Sequence, residues 1–406
     1  MPPFAFEQVF ASRATRMQAS EIRELLKLLD QPDIISFAGG IPDPAFFPAD
    51  SFAAAYARIL GDPAQRNHAL QYSVSEGYPP LRHWIAAYMG AIGVPCSEKN
   101  ILITSGSQQA LDFLGRLFLS PGDTALVTAP TYLGALQAFN AYEPRYDTLE
   151  LTAGANSPAG FIERAAAVGS SVKFAYAVPD FSNPSSATLP LNGREALLDL
   201  ATELSIPAIE DAAYTALRYD GEPLPPVLAL DVARNGDIEA CRTIFCDTFS
   251  KTLAPGLRVG WVCAAQALIE KLVLIKQASD LHSPTIDQMA MHQVAEACFA
   301  DQVAQLRGAY RERRDAMAAA LEAHMPAGVS WTRPEGGMFF WLTLPAQLDG
   351  KDLLARSVAE ARVAFVPGGA FFADGSGANS LRLSFSLSDP AKIAEGVARL
   401  GTLLAA

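Results

Sequence analysis

The chain has 406 residues, half of them apolar and 18% charged, which is ample for a large core in more than one domain and argues against global disorder. Its formal net charge is −12 and no Lys/Arg run is polybasic, so nucleic acid and an anionic membrane surface are poor partners, while a local anion site remains compatible. Five scattered cysteines without a CxxC pair, an N-terminus (Met1-Pro2-Pro3-Phe4) unlike a signal peptide and the lack of a bilayer-length apolar run point to a cytoplasmic protein without disulfides, a metal centre or a membrane span.

In chain order, the segment to about Phe47 combines a helix over Ser20–Leu29, with Ser20 as N-cap and Arg23 in its first turn, and a Gly-Gly and proline turn. From Asn100 onward short apolar runs alternate with helical patterns. Ile101–Ile103 leads into Ala110–Leu119, Asp123–Val127 into Gly134–Asn140, and Val172–Val178 into Gly193–Leu204. The runs Pro207–Ile209, Thr243–Cys246 and Val259–Val262 follow. The alternation predicts an α/β domain with a mainly parallel central sheet, and ligands in such sheets sit at the carboxyl ends of the strands. Residues 265–320 read as long and helical. Beyond them Gly336–Trp341, Ala364–Pro367 and Leu381–Phe385 read as short strands and Ile393–Leu404 as a closing helix. This divides the chain into an N-terminal segment (1–47) that joins the tail, a large domain (48–290) and a smaller α+β domain (291–406).

The chemistry concentrates in the loops. In Thr248-Phe249-Ser250-Lys251 a lysine flanked by hydroxyls follows an apolar strand, with Arg258 shortly beyond. An amine there suits Schiff-base formation with an aldehyde, while hydroxyls and a guanidinium suit a phosphate. Taken alone it also fits a surface lysine in a polar loop. Thr104-Ser105-Gly106-Ser107-Gln108-Gln109 joins a strand to a helix, either as a phosphate cradle or as an ordinary capped turn. Asn183, in Pro179–Pro184, fits a plain Asn-Pro turn or a polar group in a site. Asp211, in Ile209-Glu210-Asp211-Ala212-Ala213-Tyr214, ends a buried strand, where a carboxylate needs a partner; a protonated pyridine nitrogen is one, a helix N-cap the other. The order of these loops, each after a strand of one α/β domain, decides among the alternatives.

That set resembles the fold-type I pyridoxal-phosphate (PLP) aminotransferases of the class I/II group, and within it the 2-aminoadipate aminotransferase (LysN-like) branch. The likeness runs over nearly the whole chain and includes Gln18–Lys27, Ser36–Gly40, Leu70-Gln71-Tyr72-Ser73, Gly336-Gly337-Met338-Phe339 and Phe365–Gly369. It implies the fold-type I architecture and PLP as cofactor. The implied activity is exchange of an amino group between an L-amino acid (glutamate, 2-aminoadipate, aromatic or aliphatic) and a 2-oxo acid such as 2-oxoglutarate. It also implies residue roles. Lys251 holds the cofactor covalently and shuttles the Cα proton. Asp211 pairs with the ring nitrogen, Asn183 and Tyr214 bond the ring hydroxyl, and Tyr132 stacks on the ring. Ser107, Gln108, Thr248, Ser250 and Arg258 hold the phosphate, joined by Tyr72 of a second subunit, so a homodimer is the functional unit. Arg382 takes the substrate α-carboxylate beside Gly40 and Asn183, a fork lysine cannot reproduce. Ser20 and Arg23 face the substrate side chain, although Arg23 also fits an ordinary i,i+4 surface pair.

Four departures from the family pattern stand out. Asn183-Pro184-Ser185-Ser186 replaces Asn-Pro-Thr-Gly, Thr248 a serine, Ser182 a glutamine and Asp247 a glycine, the last adding negative charge near the phosphate loop. Two other readings compete. A β-lyase or decarboxylase would use the same cofactor. A PLP-binding regulator needs a winged helix-turn-helix ahead of this domain, for which the first twenty residues leave no room.

Overall fold

The computed structural model describes residues 4–16, 33–150, 152, 154 and 156–405. After strand β1 (Ile35–Ser36), helices α1 (Ala49–Gly61), α2 (Pro63–Leu70) and α3 (Pro79–Ala91) precede the main sheet. Proline stands at or just before the first residue of each helix, where its missing N–H is not needed.

The main sheet is built from β2 (Ile101–Ser105), β3 (Thr124–Val127), β4 (Arg145–Thr148), β5 (Val172–Ala177), β6 (Ala208–Asp211), β7 (Thr243–Thr248) and β8 (Val259–Cys263). The intervening helices are α4 (Ser107–Phe118), α5 (Leu133–Asn140), α6 (Pro158–Ala167), α7 (Leu191–Glu203) and α8 (Val227–Asn235). The strand order is β2-β8-β7-β6-β5-β3-β4; β8 runs antiparallel to both neighbours and every other pairing is parallel. The expected α/β architecture with a mainly parallel sheet is the one found. Side chains alternate between two covered faces: Phe245, Trp261 and Cys263 join the core under α1 and α3, while Ile244, Cys246 and Val262 join the one under α4 and α5.

The long helical stretch resolves into α9 (Gln266–Ser279) and α10 (Thr285–His324). The chain breaks between them because Pro284 has no N–H and disfavours helix at Ser283, and because Lys276, fully buried, bonds Asp280 and Ser283 in the turn. Helix α10 has 40 residues, about 60 Å long, and contributes Met289–Met291 to the main core and Leu306, Tyr310, Met317 and Leu321 to a second one. Strands β9 (Ser330–Trp331), β10 (Phe339–Thr343), β12 (Val366–Pro367) and β13 (Ser380–Ser384) form an antiparallel sheet over that second core, in the order β12-β13-β10-β9. Between β10 and β12 lie α11 (Gly350–Arg356) and β11 (Val363–Ala364), which pairs in parallel with β1; α12 (Pro390–Ala405) closes the chain.

Several element bounds differ from the expectation for physical reasons. Helix α4 begins at Ser107 rather than Ala110, since Gly106 (φ +75°) turns the chain straight into it. Strand β10 begins at Phe339 because Gly337 (φ +75°) interrupts extension, and the run Ala364–Pro367 splits between two sheets. Strand β4 carries no apolar run and no pattern marks it as an edge strand.

Glu210 on β6 is a buried carboxylate with a structural task. Its two oxygens accept the N–H groups of Val227 and Leu228 at 2.8 and 2.9 Å, capping α8, which has no side-chain cap of its own. Glu210→Ala is expected to lower the unfolding free energy by about 2–3 kcal/mol with the denaturant slope unchanged, measured by urea titration; an unaltered midpoint contradicts the cap.

Candidate active site

The carboxyl ends of β2, β5, β6 and β7 and the start of β8 share one edge of the main sheet. The loops leaving that edge carry the polar residues singled out in the sequence. Lys251 follows β7 in a short 3₁₀ turn capped by Thr248, whose side chain accepts the Ser250 N–H. Its Nζ donates to the Gly40 carbonyl at 3.1 Å and lies 5.8 Å from the Tyr214 ring centroid. Burial, and then the Arg382 and Arg258 cations, push the Lys251 ammonium down to about 8, with Asp211 opposing.

Asp211, on the last residue of β6, is buried. Its Oδ2 accepts from Tyr176 at 2.8 Å and its Oδ1 has no hydrogen-bond partner among the described residues. Burial raises this carboxyl to about 6, against the opposing pulls of Tyr176, the Ala213 N–H and Lys251. Tyr176 is a site residue that the sequence reading missed. A phenol inside the apolar run Val172–Val178 was its one signal.

A second group surrounds the α4 N-terminus. Gly106 (φ +75°) has no room for a side chain, because a Cβ there would overlap the Arg258 guanidinium; a Cβ on Gly260 would sit 2.7 Å from the Ser107 amide. Arg258 Nη1 reaches Ser250 Oγ at 3.3 Å, and Ser250 Oγ lies 2.8 Å from Thr248 Oγ1. Gln108 Nε2 donates to the Gly134 carbonyl at 2.6 Å. Hydroxyls, a guanidinium and first-turn amides therefore converge, as a phosphate requires. Behind the turn, Lys276 bonds Gln109 Oε1 at 2.9 Å and braces the cradle.

The third group faces the second core. Arg382, 1% exposed, donates from Nη1 to Asn183 Oδ1 (2.7 Å) and from Nη2 to the Ala38 carbonyl (2.8 Å), while its Nε has no hydrogen-bond partner among the described residues. The guanidinium lies 4.2 Å from the Phe339 ring centroid, and burial pulls it down to about 10. Asn183 Nδ2 reaches Tyr214 Oη at 3.4 Å. Tyr132 stands at the start of α5, and burial raises its phenol to about 12, Asp211 adding to the shift. Phe339, quoted only within a family motif, is at the centre of this group.

Tyr72 does not join its own subunit's cluster: it is 80% exposed, its ring edge-on to His282 with centroids 6.1 Å apart. Ser20 and Arg23 lie outside the described residues. Asp247 is on the Phe245 face of β7, opposite to Thr248, and burial raises its carboxyl well above the usual range. No cluster of three or more His, Cys, Asp or Glu suited to a metal occurs among the described residues, and no helix among them is long and apolar enough to cross a membrane.

Pyridoxal phosphate fits these features. Asp211 Oδ1 is an unfilled acceptor for a ring N–H, the Gly106 turn is a cradle that a Cβ would fill, and Lys251 is a partly neutral amine between them.

The profile of the family described as aminotransferase class I and II matches residues 40–400. The chain is 43% identical over 404 residues to a 2-aminoadipate transaminase of Thermus thermophilus, covering 100% of this chain and 98% of the relative. It is also 43% identical to an aromatic-amino-acid aminotransferase of Thermococcus litoralis, over 98% of this chain and 94% of that one. The solved structure of LysN, the α-aminoadipate aminotransferase of Thermus thermophilus complexed with N-(5′-phosphopyridoxyl)-L-leucine, superposes with a TM-score of 0.88 at 40% identity, covering 99% and 98% of the two chains.

Only the neutral amine attacks a carbonyl, so proton loss from Lys251 governs how fast the cofactor-free protein captures added pyridoxal phosphate. The capture rate is expected to rise about tenfold per pH unit below about 8 and to level off above, followed by stopped-flow absorbance. A profile still climbing at pH 10, as for an exposed lysine, contradicts the buried placement.

Proposed function

Because the chain belongs to the class I and II aminotransferase family and so is a pyridoxal-phosphate-dependent transaminase, we propose a role for each residue of this site and a class of substrate. The observation that carries the assignment is Asp211 Oδ1, a buried acceptor without a partner among the described residues, beside a buried lysine. When bound, the cofactor supplies a carbonyl that exchanges for an amine and a protonated ring that draws electrons from the substrate Cα. Asp211 accepts the ring N–H and keeps it protonated, with Tyr176 fixing the carboxylate's orientation. Lys251 Nζ tethers the cofactor and takes and returns the Cα proton. Asn183 and Tyr214 bond the ring hydroxyl, and Tyr132 covers one ring face. Ser107, Gln108, Thr248, Ser250 and Arg258 neutralise the phosphate. Arg382 binds the α-carboxylate, with Gly40 lining the same pocket. The residues that meet the substrate side chain are Ser20 and Arg23, the latter taking a distal carboxylate. The relatives' activities toward 2-aminoadipate and aromatic amino acids support a long acidic or aromatic side chain as substrate.

In our reading the functional unit is a cytoplasmic homodimer. Support for the dimer comes from Tyr72, set out on the surface near Leu70, Val74 and Leu281, all exposed apolar residues. All five cysteines are free, which accords with a reducing compartment.

Glutamate or 2-aminoadipate added to the yellow holoprotein is expected to convert its spectrum to the pyridoxamine form, and 2-oxoglutarate to restore it. A spectrum unmoved by a panel of amino acids, or release of ammonia or CO₂ without an acceptor, rules out transamination. Shared sites predict a further result. Mixing inactive Lys251→Ala with an equal amount of Tyr72→Ala under exchange conditions regenerates one intact site per mixed dimer, and half of the dimers are mixed, so activity recovers toward about a quarter of wild type. If each site were built from a single chain, the mixture would show only the sum of its parts.

A further inference from the structure

Ser186 stands in the turn that begins with Asn183, with φ +54°, the left-handed region that glycine adopts more readily than serine. Its side chain is buried, and its hydroxyl donates to the Phe339 carbonyl at 2.6 Å. That carbonyl needs such a donor. The Phe385 N–H bonds the Met338 carbonyl, so the alternation of an antiparallel ladder turns the Phe339 carbonyl away from β13. On the other side β9 meets β10 only at Leu342 and Thr343. The Ser186 hydroxyl thus fastens the turn leaving the main sheet to β10 of the second sheet, beside the bond from Arg382 on β13 to Asn183.

What hangs on Phe339 is the amino-acid end of the site. Its ring lies 4.2 Å under the Arg382 guanidinium and 5.8 Å edge-on from Tyr214, and a Cβ on Gly40 would come within 2.7 Å of its Cζ. The same turn therefore grips Arg382 twice, directly through Asn183 Oδ1 and indirectly through the ring that Ser186 fixes.

We propose that Ser186 is a positioning residue that sets the Phe339–Arg382 stack for the substrate carboxylate, and so governs amino-acid affinity rather than proton transfer. This rests on the reading of Arg382 as the α-carboxylate ligand. The bond to Phe339 is what the side chain adds at a position where the backbone alone favours glycine.

Two variants separate the hydroxyl from the backbone. Ser186→Ala keeps a β-carbon at positive φ and loses the hydroxyl; Ser186→Gly loses the hydroxyl and relieves the backbone. Both holoenzymes are expected to bind glutarate, an inert dicarboxylate, about three- to tenfold more weakly by calorimetry, with the amino-acid KM raised to match and kcat within about twofold. The glycine variant should melt at a higher temperature than the alanine variant. A Ser186→Ala enzyme with wild-type glutarate affinity and KM overturns the proposal, whatever its melting temperature. Arg382→Lys is the separate arm. If glutarate binding survives it unchanged, the carboxylate reading of Arg382 fails and takes the role of Ser186 with it; a loss there with no change in Ser186→Ala removes Ser186 alone.

Discussion

The site depends on keeping one carboxylate ionised where the surroundings favour its neutral form. Burial pushes Asp211 up to about 6, and the same burial, with two guanidiniums, pushes Lys251 down to about 8. Acid and base are drawn toward each other near neutrality. Tyr176 on the neighbouring strand steadies the charged form through one oxygen and leaves the other available. Against Asp211 stand the cations Lys251, Arg258 and Arg382, so the pocket carries an excess of positive charge that suits a phosphate and a carboxylate even though the chain as a whole is acidic.

Sheet topology makes that arrangement possible. With β8 reversed between β2 and β7, its first residue rather than its last lies at the functional edge, and Arg258 arrives there beside the α4 turn. Antiparallel β8 thus lets residues from both ends of the 248–258 loop meet one cradle. Gly106 records the closeness of that meeting, since the guanidinium occupies the space a side chain would need.

The strand-end loops are legible in the sequence because each is local: a strand, a few polar residues and a helix follow one another within a short window. What is not legible is whatever crosses between strands or cores. Tyr176 looks like one more member of an apolar run, and only the neighbouring strand gives its phenol a task. Phe339 and the Ala38 carbonyl come to Arg382 from opposite ends of the chain. The break between α9 and α10 is marked by Pro284, yet the buried Lys276 that secures it looks like a surface helix residue until its partners Gln109 and Ser283 are in place. Asp247 and Ser186 were visible as departures, but the strand face of the one and the hydrogen-bond partner of the other belong to tertiary structure.

The pairing of β1 with β11 joins Ile35 to Val363, so the first strand made waits for 328 further residues before it can be used. At ribosomal speeds this is a delay of roughly 15 to 65 seconds. During that time the main sheet, whose strands lie between 101 and 263, can already close. Ala38 and Gly40, which leave β1 for the pocket, stay unplaced until the end of synthesis. The order of synthesis thus lets the sheet that carries Asp211 and Lys251 close on the nascent chain, whereas the surroundings of Arg382 can be assembled only at the end, from the two ends of the polypeptide.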